Sequence, residues 1–179
     1  MRSPLLIAVG GFSGSGKTSL AAALQQRLPD TVHLDSDRAR KALFGVSETT
    51  RLPPSAYTQE ATRRVIDAME RRVREHVAAG RNVVISALFS PAASRRDAEN
   101  LAAETNARFA GLWLRADLRV LVGRVEKRAG NVSDAGAEIV RRQVAEGTET
   151  VLWPMLDATL PPDEVLAAAL RMIGEQGGA

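Results

Sequence analysis

Residues 5–24 read LLIAVGGFSGSGKTSLAAAL, and this stretch decides the fold. The apolar run Leu5 to Val9 is strand-like, and Gly11-Phe12-Ser13-Gly14-Ser15-Gly16-Lys17-Thr18 follows it at once. Two glycines bracketing four residues, then Lys and Thr, match the phosphate-binding P-loop pattern. The glycines let the backbone turn so that successive N–H groups converge on one concave anion site. The alanine-rich segment from Ser19 to Leu28 is a strong helix former, and its N-terminal dipole adds positive potential to the same spot. A Gly/Ser-rich surface loop is the plain alternative, but it requires neither the strand before nor the helix after. The pattern assigns Gly11, Ser13, Gly14, Ser15, Gly16, Lys17, Thr18 and Ser19 to nucleotide binding. Lys17 is expected at the β- and γ-phosphates, and the Thr18 hydroxyl is expected to hold Mg²⁺. The implied ligands are ATP and Mg²⁺.

Working outward, strand and helix patterns alternate. Thr31 to Asp35 is a short second strand, and Ser36 or Asp37 can cap a helix that Gly45 ends. Val46 to Ser55 reads as a loop. Ala56 to Ala79 is the longest helical pattern, with Val65, Met69, Val73 and Val77 marking its buried face. Arg63, Arg64, Arg71, Arg72 and Arg74 read as its solvated face. Asn82 to Leu88 is a continuous apolar run, as a central parallel strand should be. Pro91 opens a helix to about Asn106, and Arg108 to Leu114 is a fourth strand. Asp117 is expected to cap a helix with Leu118, Leu121, Val122 and Val125 inward. Ala137 to about Glu149 is helical, Leu156 to Leu160 forms a short last strand, and a final helix runs from Pro161 to about Gly174.

This alternation implies a parallel sheet covered on both faces. The expected fold is α/β: a P-loop NTPase three-layer α/β/α sandwich, with a five-stranded parallel sheet ordered 2-3-1-4-5 and a helical lid. No repeat or linker divides the 179 residues, so one domain over 1–179 is expected, its lid near 124–137. A 45% hydrophobic and 25% charged chain has ordinary globular composition. Zero cysteines exclude disulfides and cysteine-based metal sites or catalysis. No apolar run approaches a membrane span, and Met1 to Pro4 leads straight into the first strand, so no signal peptide is expected and the cytoplasm is the expected compartment. With 24 basic and 21 acidic residues, the excess of three charges does not by itself argue for a nucleic-acid partner.

The carboxyl ends of parallel strands gather binding residues. Asp35, Ser36 and Asp37 lie at that end of the second strand. An acid there can take the proton of an acceptor hydroxyl, and Arg40, one turn on, can hold an anionic group. Asp37 is the expected base, although it also suits an N-cap.

The segment LDSDRARKALFG, Leu34 to Gly45, resembles the P-loop small kinases also labelled AAA-type ATPases, which occur fused to aminoglycoside-phosphotransferase-like domains. The D-x-x-R unit, Asp37 to Arg40, is similar to one in polynucleotide kinases and zeta-toxin-type kinases. The resemblance continues through Tyr57 to Val65, Gly80 to Phe89 and Leu121 to Ala135. It implies that Asp37 is the base toward an acceptor hydroxyl and that Arg40 contacts substrate or phosphate. The segment from Arg124 to Ala135 resembles the lid of these kinases, so Arg124 and Arg128 are expected to neutralise the transferred phosphoryl group. Arg141 and Arg142 are weaker candidates for that role. One departure stands out: the group often ends its third strand with Asp-Ala-Thr, and this chain has Ser86-Ala87-Leu88.

The expected activity is an ATP-dependent kinase acting on a hydroxyl-bearing small molecule. A nucleic-acid 5′-hydroxyl kinase and an ATPase or regulatory ATP-binding domain are the alternatives. His33 and His76 have no metal-ligand spacing and read as structural or exposed. Trp113 reads as core. Trp153-Pro154 and the Asp157 to Thr159 turn are marginal candidates for a base-binding loop.

Overall fold

β1 (Leu5–Gly11) is buried along its whole length and occupies the centre of the sheet. The computed structural model describes residues 3–127 and 135–176. β3 (Asn82–Ser86) flanks β1 on one side and β4 (Arg108–Arg115) on the other, with β2 (Thr31–Asp35) and β5 (Met155–Asp157) at the edges. Every pairing is parallel, so the order 2-3-1-4-5 is as expected. The helices are α1 (Lys17–Arg27), α2 (Ser36–Leu43), α3 (Gln59–Ala78), α4 (Ala92–Glu104), α5 (Leu118–Glu126), α6 (Ala137–Glu146) and α7 (Pro162–Gln176).

Side-chain alternation along β1 feeds two cores. Leu5, Ile7 and Val9 pack with Leu20 and Leu24 of α1 and with Val165, Ala169 and Ile173 of α7. Leu6 packs the opposite way, with Val65, Met69, Val73 and Val77 of α3 and Leu101 of α4. Each such fully buried aliphatic side chain contributes roughly 1.5–3 kcal/mol. Trp113 is core, as expected. Gly111 is required by a neighbour: a Cβ there would lie 2.4 Å from the Trp153 indole.

Several boundaries differ from the sequence reading, for local reasons. The long helix begins at Gln59 because the Thr58 side chain accepts from the Ala61 N–H; the preceding Pro54–Tyr57 is a 3-10 turn. Asp117 occupies the N-cap position of α5 but makes no side-chain capping bond. Only Leu121 of the four residues expected inward on α5 is buried, and Leu118 is exposed. The last strand starts one residue earlier than expected and ends at Asp157, where the Asp157 carboxylate accepts from the Thr159 N–H and hydroxyl and turns the chain. The α3 arginines Arg63, Arg64, Arg71, Arg72 and Arg74 are exposed, as a solvated face should be.

Candidate active site

The loop between β1 and α1 holds its glycines where the motif needs them. Gly14 and Gly16 have φ of 86° and 95°, and Gly16 is the N-cap of α1. A Cβ on Gly14 would lie 2.6 Å from the Leu121 carbonyl oxygen, so α5 presses directly on the loop. Lys17 extends its ammonium back to donate to the Phe12 carbonyl at 3.0 Å. This puts a cation and the α1 N-terminus at the mouth of a glycine cradle, which fits a polyphosphate.

Asp35, the last residue of β2, connects the loop to the acceptor-side helix. Its Oδ1 accepts from the backbone N–H groups of Asp37 and Arg38, capping α2. Its Oδ2 accepts from the Thr18 hydroxyl at 3.0 Å and from the Ser86 hydroxyl at 2.6 Å. Ser86 lies directly across from Asp35 in the β2–β3 register. His33 Nε2 is 2.8 Å from the Ser86 oxygen. Ser86 gives its one proton to Asp35, so His33 donates through Nε2. Burial pushes His33 below the usual histidine range, the Asp35 charge opposes that, and Arg38 adds to it. Because Thr18 spends its proton on Asp35, its oxygen lone pairs point away from the carboxylate. That donor chemistry fits a hard cation such as Mg²⁺. His33 is therefore structural, as read from the sequence, but joined to the site through Ser86.

The sequence placed Asp35 at the strand end and gave it no role. The signal was its pairing row: an acid ending β2 opposite a buried serine where related kinases carry an acid.

A cavity of about 980 Å³ opens in front of these groups. Lys17, Thr18, Asp35, Asp37, Arg40 and Ser86 all line it. Of the nucleotide-loop candidates, Ser13, Gly14, Gly16 and Ser19 line it too. Gly11 and Ser15 are buried instead, and the Ser15 hydroxyl has no hydrogen-bond partner. Asp37 stands in the first turn of α2, half-buried. Arg40 is buried; it donates to the Ala56 carbonyl at 2.6 Å and to the Thr62 hydroxyl at 3.3 Å, and it lies over the Tyr57 ring at 4.9 Å.

The expected lid splits. Arg124 sits in the last turn of α5 and donates to the Ala158 carbonyl at 2.6 Å; it does not line the cavity. Arg128 lies outside the described residues, as do residues 128–134 of the expected lid. α6 forms the roof, presenting Glu138, Ile139, Arg142 and Gln143 to the cavity. Arg142 is exposed and sits 3.8 Å from Glu146, while Arg141 is exposed and does not line the cavity.

Gln143 was not found by sequence reasoning, and no motif marks it. Its Oε1 accepts the Ser13 backbone N–H at 2.9 Å, so a roof side chain occupies a P-loop donor. A carboxylate in its place repels a bound polyphosphate. Gln143→Glu is expected to weaken ATP binding about tenfold, the equivalent of about 1.4 kcal/mol. Isothermal titration calorimetry checks this, and unchanged affinity would place the roof away from the nucleotide.

Behind the loop, Arg95 of α4 is buried. It donates to the carbonyls of Phe89, Ser90, Glu149 and Thr150, tying the segment after β3 to the segment before β5. Trp153 is buried against Phe89 and Phe109 and donates to Glu99 at 2.7 Å, a packing role.

A parallel sheet ordered 2-3-1-4-5, with a phosphate-binding loop between its central strand and α1, defines a P-loop kinase fold. A family model described as "AAA domain" matches residues 6–151, and the chain belongs to that family. It is 26% identical over 170 residues to "Uncharacterized protein Rv2004c" of Mycobacterium tuberculosis, covering 93% of this chain and 34% of the relative. The chain thus spans about a third of the curated relatives it matches. Its fold is similar to a gluconokinase from Sinorhizobium meliloti 1021, with a TM-score of 0.71, 21% identity, and 99% and 96% of the two chains covered. It is similar also to the Mycobacterium tuberculosis APS kinase CysC in complex with AMPPNP and APS, with a TM-score of 0.71, 15% identity, and 97% and 99% covered. Among the described residues, no helix is long and apolar enough to cross a membrane.

Proposed function

We propose that the chain is an ATP-dependent kinase that transfers the γ-phosphoryl group to a hydroxyl of a small-molecule acceptor. The observation that carries this reading is the single cavity shared by the phosphate loop and Asp37. The bond between the γ-phosphorus and the β-phosphate bridging oxygen breaks, and a bond from the acceptor oxygen to that phosphorus forms. The hydroxyl proton passes to the Asp37 carboxylate, and ADP leaves with the bridging oxygen. Lys17 and the loop amides bind the phosphates. Thr18 would hold Mg²⁺, which when bound neutralises charge between the β- and γ-phosphates. Asp35 holds the Thr18 hydroxyl in the orientation that leaves its lone pairs to the metal. It thereby supplies a carboxylate that Ser86 cannot. Arg40 stands one turn beyond Asp37 on the cavity wall, in keeping with a role on the acceptor side. Arg128 remains the proposed lid arginine, and Arg124 supports the lid from its bond to Ala158.

A small acceptor is favoured over a nucleic-acid end because the gluconokinase and the APS kinase match over nearly the whole chain with TM-scores of 0.71, against 0.58 and 0.59 for the Pnkp1/Rnl/Hen1 complexes. A screen of hydroxyl compounds by ADP release tests the proposal. At least one compound should raise ADP release tenfold or more over water and gain the mass of a phosphoryl group. Hydrolysis that no acceptor changes would make the chain an ATPase or a regulatory nucleotide-binding domain instead.

A further inference from the structure

The acceptor side of the cavity is built from the segment between α2 and α3, and α2 holds that segment with its own cations. Arg38 donates to the Glu48 carboxylate at 3.2 Å, Lys41 to the Glu48 carbonyl at 2.8 Å, and Arg40 to the Ala56 carbonyl at 2.6 Å. Within the segment, Leu52 is buried, Pro53 and Pro54 stiffen the backbone, and Tyr57 is braced under Arg40. These contacts brace the wall from α2, the buried Arg40 bond more firmly than the exposed Arg38–Glu48 pair. Arg51 projects from it, exposed, on the cavity lining. No hydrogen bond or ion pair to Arg51 is formed among the described residues.

The contrast with its neighbours carries the inference. The α2 cations and Arg40 are committed to the wall itself. Of the carboxylates facing the same cavity, Asp35 is saturated: it accepts four hydrogen bonds, from Thr18, Ser86 and the Asp37 and Arg38 amides. Arg51 is thus an exposed guanidinium on the wall of the cavity that also holds the proposed base. The same wall offers Leu52, Pro54 and Tyr57, a surface for C–H groups rather than for charge. A planar fork of donors on a braced wall suits a carboxylate or phosphate, which it can engage through two parallel bonds.

We propose that the acceptor is a hydroxyl-bearing organic anion, and that Arg51 binds its anionic group while its hydroxyl faces Asp37. This rests on the kinase reading and narrows it. It makes Arg51 a specificity residue with no part in the chemical step: removing it should raise acceptor KM and leave kcat nearly unchanged.

The test uses matched pairs that differ only in charge: D-gluconate with D-glucitol, glycerol 3-phosphate with glycerol, and 5′-AMP with adenosine. ATP-dependent phosphorylation is followed by mass spectrometry, and binding by calorimetry with AMPPNP present. The anionic member of at least one pair should be bound and phosphorylated with kcat/KM at least about tenfold above its neutral partner. Arg51→Ala should raise KM for that anion about tenfold or more, with kcat within about threefold and KM for ATP unchanged. Arg51→Lys should recover part of the loss. A neutral member preferred by the wild type, or equal losses for both members in Arg51→Ala, overturns the anion assignment and leaves the kinase reading standing. ATP binding and hydrolysis with no member bound or phosphorylated overturns the anion assignment, and the wider hydroxyl screen then decides the kinase reading separately.

Discussion

Asp37→Asn is expected to lower acceptor phosphorylation about 10²–10⁴-fold and to leave ATP affinity within about twofold of wild type, the range for removal of a general base, which is the role proposed for Asp37. The amide has nearly the carboxylate's shape, so the first turn of α2 keeps its form. It cannot take a proton. Asp37 is held by its backbone, whose N–H donates to Asp35 at 3.0 Å, and that bond is indifferent to the side chain. The cap of α2 is made by Asp35, so loss of the Asp37 carboxylate does not unravel the helix. This separates the kinase from its rival cleanly. An ATPase that makes no phosphorylated product would hydrolyse ATP equally well in both proteins. Single-turnover phosphorylation together with calorimetric ATP binding makes the measurement, and an Asn variant with wild-type phosphorylation would remove Asp37 from the mechanism.

Asp35→Ala has the largest expected effect on the folded state. Losing an N-cap carboxylate costs about 0.5–2 kcal/mol. Leaving the buried Ser86 hydroxyl without its acceptor costs about 1–3 kcal/mol more. Ser86 is 1% exposed with Asp35 in place, and the neighbouring His33 ring or cavity water recovers only part of the lost bond. The sum, about 1.5–5 kcal/mol, lowers Tm by roughly 3–20 °C for a chain of this size. Asp35→Asn retains one oxygen for the α2 amides and should lose much less. Both variants should need more Mg²⁺ for activity, because the Thr18 hydroxyl loses its charged acceptor in each. Calorimetric melting of the three proteins, with magnesium titrations of ATP turnover, checks both halves. An Ala variant that melts with the wild type would show that the carboxylate contributes nothing to the fold.

The fold was legible because its signals are local and repeat. Apolar runs at β1 and β3, the glycine loop and the period of α3 each name an element without reference to the rest. Leu118 is exposed where burial was expected, and Val122 and Val125 are half-buried, because a helical stripe says that a face is apolar, not how fully it is covered. Motifs brought Lys17, Thr18 and Asp37 into view as candidates, and the fold sets all three around one cavity. Asp35 and Gln143 were not legible in this way, since their roles depend on partners 51 and 130 residues away in sequence. Arg124 has the spacing of a lid residue but is claimed by the Ala158 carbonyl, which no spacing rule anticipates.

Arg95 has a consequence for the nucleotide. Its oxygen partners are carbonyls and the Thr148 hydroxyl, and no acid among the described residues lies within ion-pair distance. Dipoles solvate a charge without cancelling it. A whole positive charge therefore remains beneath the loop, with its guanidinium 5.9 Å from the Trp113 ring and that ring 5.9 Å from Phe12 of the loop. A monopole in a poorly polarisable interior reaches further than a surface lysine screened by salt. An anion held at the loop would feel that charge in addition to the Lys17 ammonium, and ionic strength would erode its pull slowly.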